Sequence, residues 1–203
     1  EASVEADALD EADLVERCRH GDTTAYGRLV REYQDRVFNV CWRMCGNRAD
    51  AEDLTQEAFV KALMSIGRFD GRSRFYTWLF RIAVNLTISA LRKEKRRETK
   101  SLDASGLARD GEDPGPRLVD GLTSNEDRPE ERVMDRETQG IVLEALGSLD
   151  EEYRCVITLR DLESFSYEEI ADILEVPTGT VKSRLHRARL ALRRKLGPIL
   201  DIT

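Results

Sequence analysis

Between Ser101 and Glu130 the chain loses the three-to-four-residue apolar spacing that it keeps almost everywhere else. Gly106, Gly111, Pro114, Gly115, Pro116, Gly121 and Pro129 fall in this interval, and residues 101–135 carry ten acids against four arginines. Such a stretch buries too little apolar surface to offset the entropy of ordering it, and its like charges repel. A flexible acidic linker is predicted, and a 203-residue chain divided there builds two small cores rather than one.

On both sides of that interval the pattern is helical, and no segment alternates as a strand does. From Thr24 to Cys45, Leu29, Tyr33, Val37, Val40 and Cys41 lie on one stripe. Asn47 is placed to cap a second helix, whose apolar line is Ala51, Leu54, Ala58, Phe59, Ala62, Leu63 and Ile66. A third runs from about Phe75 through Arg92 along Leu79, Ile82, Ala83, Leu86 and Leu91. Helical pattern resumes near Glu131, through Ile141, Val142, Ala145, Leu146 and Leu149, then Val156, Ile157 and Leu159. The expected fold class is all-α. An acidic N-terminal extension spans 1–23, helical domains span 24–98 and 131–203, and the Gly/Pro-containing linker spans 99–130.

The second domain ends in "SYEEIADILEVPTGTVKSRLHRARLALRRKL". Ser166 with Glu169 three residues later reads as a capping box, and Pro177 stops the short helix that it starts. Thr178 or Thr180 is expected to cap the next helix. Ile170, Ala171 and Leu174 of the first helix face Val181, Leu185 and Leu192 of the second, a helix-turn-helix whose second helix fits a major groove. Lys182, Ser183, His186 and Arg187 lie in reach of base edges, and Arg187 suits a bidentate contact to guanine. Thr180, Arg184 and Arg189 suit phosphates.

Charge supports that reading. The net charge is −7, yet residues 178–196 hold seven Lys/Arg and no acid, and "RKEKRRETK" at 92–100 has a net charge of +4. Two basic islands in an acidic chain point to a polyanionic partner. A further feature is "RFDGRSRFYTWLFR" at 68–81, which gathers five of the chain's 13 aromatic residues with four arginines. Gly71 and Ser73 break its first half into a loop. Phe69 there is read as capturing an unpaired base, with Arg68, Arg72, Arg74 and Arg81 on phosphates. The second half, with Trp78, is read as buried scaffold.

Other chemistry finds little to rest on. There is no CxxC pair, phosphate-binding glycine loop or catalytic triad in plausible order, so neither an enzyme nor a cofactor is expected. Cys18, Cys41 and Cys45 with His20 are a conceivable metal site, set against the commoner role of cysteine as a small buried apolar residue, and no metal is assigned. Apolar runs are far too short to span a bilayer, and the N-terminus is acidic where a signal peptide is basic, so a cytoplasmic protein is expected.

Taken together, "DAEDLTQEAFVKAL" at 50–63, "FYTWLFRIAVN" at 75–85 and the helix-turn-helix, in that order around a linker, resemble the extracytoplasmic-function (ECF) sigma factors of bacterial RNA polymerase. The resemblance implies a non-enzymatic promoter-specificity subunit. Its first domain binds the clamp of the core polymerase through Asp50, Asp53, Leu54, Gln56, Glu57 and Lys61, with Leu54 and Phe59 shared between core and interface. The same domain opens the minus-ten element with Arg68, Phe69, Asp70, Gly71, Arg72, Ser73, Arg74, Tyr76, Arg81, Asn85, Arg92 and Arg96. The second domain meets the flap region and reads the minus-thirty-five element as duplex through the helix-turn-helix residues above. The linker serves as a tether or as a nucleic-acid mimic near the RNA path. An anti-sigma factor, in some cases at the membrane, is implied as a further partner of an otherwise monomeric protein. One departure from the family is Glu175, at a turn position often occupied by glycine. The competing reading is a stand-alone regulator that binds a palindromic operator as a dimer.

Overall fold

The computed structural model describes residues 2–105 and 140–197. Every regular element among them is helical: α1 (Ala2–Arg19), α2 (Thr23–Cys45), α3 (Arg48–Ser65), α4 (Phe75–Ser105), α5 (140–147), α6 (Glu151–Ile157), α7 (Tyr167–Leu174) and α8 (Thr178–Leu196). A 3₁₀ turn, Ile66–Arg68, follows α3, and α6 runs on into a π-helical turn, Thr158–Leu162.

Helices α2, α3 and α4 pack together through Leu29, Val37, Val40, Ala51, Ala58, Leu79 and Ala83. Asn47 caps α3 by accepting the Asp50 N–H at 3.1 Å. Gly46 closes α2 at φ 72°, a left-handed position that glycine adopts without cost. The acidic N-terminal segment does more than extend the chain. Leu14, Val15 and Cys18 of α1 are buried, and α1 packs along α2. Asp22, between the two, accepts the N–H groups of Thr24 and Ala25 and pairs with Arg17 at 2.8 Å. Those hydrogen bonds hold its carboxyl below the usual aspartate value. This contribution to stability is present above pH 4 or so and is lost as pH falls through the lowered value.

Helix α4 passes the basic run and ends at Ser105, beyond the end near Arg92 that its apolar pattern suggested. Residues 99–105, read as the start of the linker, are thus helical, and the rest of the linker and residues 131–139 lie outside the described residues. The buried line of α4 is also broader than expected. Phe80, Val84 and Thr87 are fully buried, while Ile82 and Leu86 are only partly so.

In the second domain Val156, Ile157 and Leu159 pack with Ile170, Ile173, Val181, Leu185 and Ala188. The capping box is present: the Glu169 N–H donates to Ser166 Oγ at 3.1 Å, and the Ser166 N–H donates to Glu169 Oε2 at 2.8 Å. Helix α8 is not capped by Thr178 or Thr180. Pro177 is its N-cap, with a backbone carbonyl that accepts the Thr180 N–H at 2.8 Å, so both threonines fall inside the first turn. Helix α7 ends on Glu175 at φ 53°, ψ 44°.

The two domains touch. Phe165 is buried against Phe80 of α4, ring centroids 4.9 Å apart, and against Tyr76 at 5.4 Å. Beside it the carboxylate of Glu163, 7% exposed, takes Arg43 at 2.7 Å and Arg36 at 3.3 Å. Arg36 also lies over the rings of Phe80 and Phe165. Arg154 donates from the second domain to the Met44 carbonyl.

Replacing Glu175 by glycine removes the Cβ penalty of the left-handed conformation, so thermal denaturation of Glu175→Gly should show a gain of about 1 kcal/mol. Ser166→Ala deletes half of the capping box and should lose about 1 kcal/mol in the same measurement.

Candidate nucleic-acid interface

Burial of Val181, Leu185 and Ala188 turns the other side of α8 outward, where Lys182, Ser183, His186, Arg187 and Arg189 are all exposed. Their surroundings differ. Arg187 and His186 make no ion pair with a described residue. Lys182 Nζ sits 5.6 Å over the ring of Tyr167, which faces Arg160 as well. Ser183 Oγ donates to the Thr180 carbonyl at 3.0 Å. Arg184 pairs with Glu152 at 2.8 Å, and Arg189 pairs bidentately with Asp161 at 3.0 and 2.5 Å. The two arginines of α8 assigned to phosphates are thus already held by acids of their own domain. Thr180 is half-buried in the first turn.

The 68–74 loop corrects one expectation. Phe69 is 8% exposed and packs edge-on to Phe75 at 6.1 Å and against Trp78 at 5.2 Å, so it anchors the loop from below and is not free to stack on a base. Gly71, at φ 72°, lets the chain turn back over this cluster. Asp70 Oδ1 accepts the Arg72 N–H at 3.1 Å and its carboxylate pairs with the Arg72 guanidinium at 3.2 Å. Arg68, Asp70, Gly71, Arg72, Arg74 and Asn85 are exposed and Ser73 is half-buried. Tyr76, Arg81 and Arg92 are engaged by the second domain: Tyr76 lies on Phe165, Arg81 faces Glu175 at 3.7 Å, and Arg92 pairs with Glu151 at 2.7 Å. Arg96 Nε donates to the Arg92 carbonyl at 3.0 Å, one turn back along α4.

On α3 the polar residues Asp50, Asp53, Gln56, Glu57 and Lys61 are exposed, with a Lys61–Glu57 pair at 2.9 Å. Leu54 is 7% and Phe59 8% exposed, so both belong to the core. Leu63, placed on the buried line by its spacing, is 45% exposed, with Val60 at 56% and Met64 at 82%. This apolar patch beside the polar row was missed because α3 is flanked by elements on two sides, which shifts its buried stripe.

Residues 29–97 match the Sigma-70 region 2 family and residues 139–192 match Sigma-70, region 4. The chain is 39% identical over 183 residues to the ECF RNA polymerase sigma factor SigW of Bacillus subtilis (strain 168), covering 90% of this chain and 94% of that protein. It belongs to the ECF sigma factors of RNA polymerase. The ECF RNA polymerase sigma-E factor of Haemophilus influenzae is 41% identical over 197 residues, with 96% of this chain and 100% of the relative covered. Among solved structures, the sigma factor RpoE in complex with the anti-sigma factor NepR from Bartonella quintana superposes at TM-score 0.65 and 25% identity, over 84% of this chain and 96% of that one. These relatives are transcription initiation factors, not enzymes.

Cys18, Cys41 and Cys155 are buried and Cys45 is half-buried, all as free thiols. Burial pushes Cys45 up to about 11 and Cys155 up to about 12, and raises Cys18 and Cys41 as well, so all four stay protonated at neutral pH. No group of three or more His, Cys, Asp or Glu among the described residues is arranged to hold a metal. No helix among them is long and apolar enough to cross a membrane.

Because Phe69 fills an aromatic cluster, Phe69→Ala should cost about 3 kcal/mol of stability in chemical denaturation. A variant with unchanged stability would return the side chain to a surface role.

Proposed function

We propose that this sigma factor carries its two DNA-reading faces to core RNA polymerase on the outer side of α3 and there directs promoter-specific initiation. The observation that carries this reading is the acid-free outer face of α8, set on a capped helix-turn-helix within a chain that is acidic overall. Lys182, Ser183, His186 and Arg187 read the minus-thirty-five element in the major groove, and the helix N-terminus with Thr180 meets a phosphate. Arg184 and Arg189 reach phosphates after exchanging their acid partners, a small cost for pairs that each include an exposed partner.

The minus-ten element is met as a single strand by the exposed loop around Gly71 and by Asn85, with Arg68, Arg72 and Arg74 on its phosphates. Phe69 keeps the loop in shape from within. Each base step opened loses roughly 1.4 kcal/mol of stacking, more than a single loop recovers over a whole bubble, so melting requires the polymerase. The contact to the clamp uses Asp50, Asp53, Gln56, Glu57 and Lys61, with Val60, Leu63 and Met64 supplying apolar area beside them. Surface of this kind suits an anti-sigma factor equally well, and competition between the two for α3 gives the simplest means of control.

The test is to add the purified chain to sigma-free bacterial core polymerase with a genomic promoter library and to sequence the transcripts. Promoter-dependent transcripts and a permanganate-reactive bubble are expected, and tight binding to a palindromic duplex without polymerase would support the operator-binding alternative instead. On a selected promoter, Arg187→Ala should lose about 1–3 kcal/mol of discrimination at one base pair of the minus-thirty-five element. Lys182→Ala should lower the slope of log affinity against log salt if it meets a phosphate, and leave it unchanged if it meets only a base edge.

A further inference from the structure

Tyr167 opens α7 directly after the Ser166 cap and is half-buried against the core of the second domain. Two cations from different elements meet at its ring. Arg160, on the π-helical turn, lies 4.9 Å from the ring centroid, and Lys182, in the first turns of α8, lies 5.6 Å from it. Arg160 is the fixed one of the two, since it is half-buried and its Nη1 donates to the Phe165 carbonyl at 2.6 Å. Lys182 is exposed and has no acid or hydrogen-bond partner among the described residues, so the ring face is what orients it.

This arrangement differs in kind from the rest of α8. Arg184 and Arg189 are steered by Glu152 and Asp161, and a carboxylate that orients a cation also cancels its field. An aromatic face orients a cation through its quadrupole and leaves the full charge in place. A lysine must freeze a long flexible stem before its ammonium can select one base edge, and holding the stem beforehand removes that cost from binding. The capping box matters here as well. By fixing the first turn of α7 it fixes the ring, and the ring in turn sets the ammonium one helical turn ahead of His186 on the outward side of α8.

We propose that Tyr167 is a positioning residue for promoter selectivity: its ring holds Lys182 at one base edge of the minus-thirty-five element with its charge unneutralised, and the tyrosine hydroxyl is not required. This rests on the sigma-factor reading for the role of Lys182, whereas the ring-held lysine is a property of the free chain.

The experiment uses the full chain with core polymerase and a promoter selected from the library, each base pair of the minus-thirty-five element being varied in turn. The readout is the ratio of transcripts from the selected and the altered base pair. Lys182→Met identifies the base pair that Lys182 reads. At that pair Tyr167→Leu should lower the ratio about two- to fivefold and Tyr167→Phe should retain it, while the other pairs keep their ratios. In the Lys182→Met background Tyr167→Leu should have no further effect. Equal losses in Tyr167→Phe and Tyr167→Leu would assign the effect to the hydroxyl and overturn the proposal. An equal loss at every base pair, as a merely structural role gives, would overturn it too, as would a Lys182→Met chain that alters no pair. A second measurement covers a Tyr167→Leu chain that folds poorly. In the free wild-type chain the Lys182 ε-methylene protons lie over the ring, so they should resonate upfield of those of exposed lysines such as Lys93 and Lys195, and coincident resonances would overturn the proposal. Absence of promoter-dependent transcripts from the wild-type chain, with the resonance displaced, would instead remove the sigma-factor reading and the base-reading role with it, leaving the lysine held by the ring.

Discussion

The closed arrangement of this chain depends on Glu163 and Phe165, which enter the first domain side by side. Phe165 supplies apolar burial against Phe80 and Tyr76, and Glu163 supplies a carboxylate that Arg36 and Arg43 must neutralise because water is largely excluded from it. Arg36 unites the two by lying over the rings of Phe80 and Phe165 while its guanidinium meets Glu163. A charged group buried in this way adds little net stability, but it is intolerant of displacement: sliding one domain over the other would strand a carboxylate. The pair therefore fixes where the domains meet, and the aromatic contact supplies much of the reason that they meet at all.

Everything outside that fixed point is weaker. Arg92–Glu151, Arg184–Glu152 and Arg189–Asp161 each include an exposed partner, and such pairs contribute about 0.2–1 kcal/mol. Pairs of that strength hold an arginine in place without committing it. A phosphate offers the same oxygen geometry with more charge, and counterions released from DNA add to the exchange. The surface is thus preset with acids where nucleic acid is expected to bind.

Most local signals in the sequence translated into structure, the Thr178 or Thr180 cap of α8 being an exception. The Ser166–Glu169 capping box, the Asn47 cap and the apolar stripe of α2 depend on residues a few positions apart, and short spacing is what sequence displays. Glu175 stands at a turn position that often holds glycine in the family, and α7 ends on it in the left-handed conformation. What escaped notice depends on distance or on direction. Glu163 is 120 residues from Arg43 along the chain, and no periodicity links them. Phe80 sits off the expected stripe of α4 because that helix is covered on two sides, once by its own domain and once by Phe165. Phe69 misled for a different reason. An aromatic among arginines in a Gly/Ser-broken loop can point either way, and the cluster with Phe75 and Trp78 turns it inward.

An acidic sequence that binds DNA is paradoxical only if net charge is taken as the relevant quantity. The Debye length is about 8 Å in physiological salt, so an approaching strand feels the charges within a few side chains of its path and little of the total. Over the outer face of α8 that local balance is positive. Over α4 it depends on whether Glu151 and Glu175 are present, which makes the field there a function of domain arrangement rather than of composition.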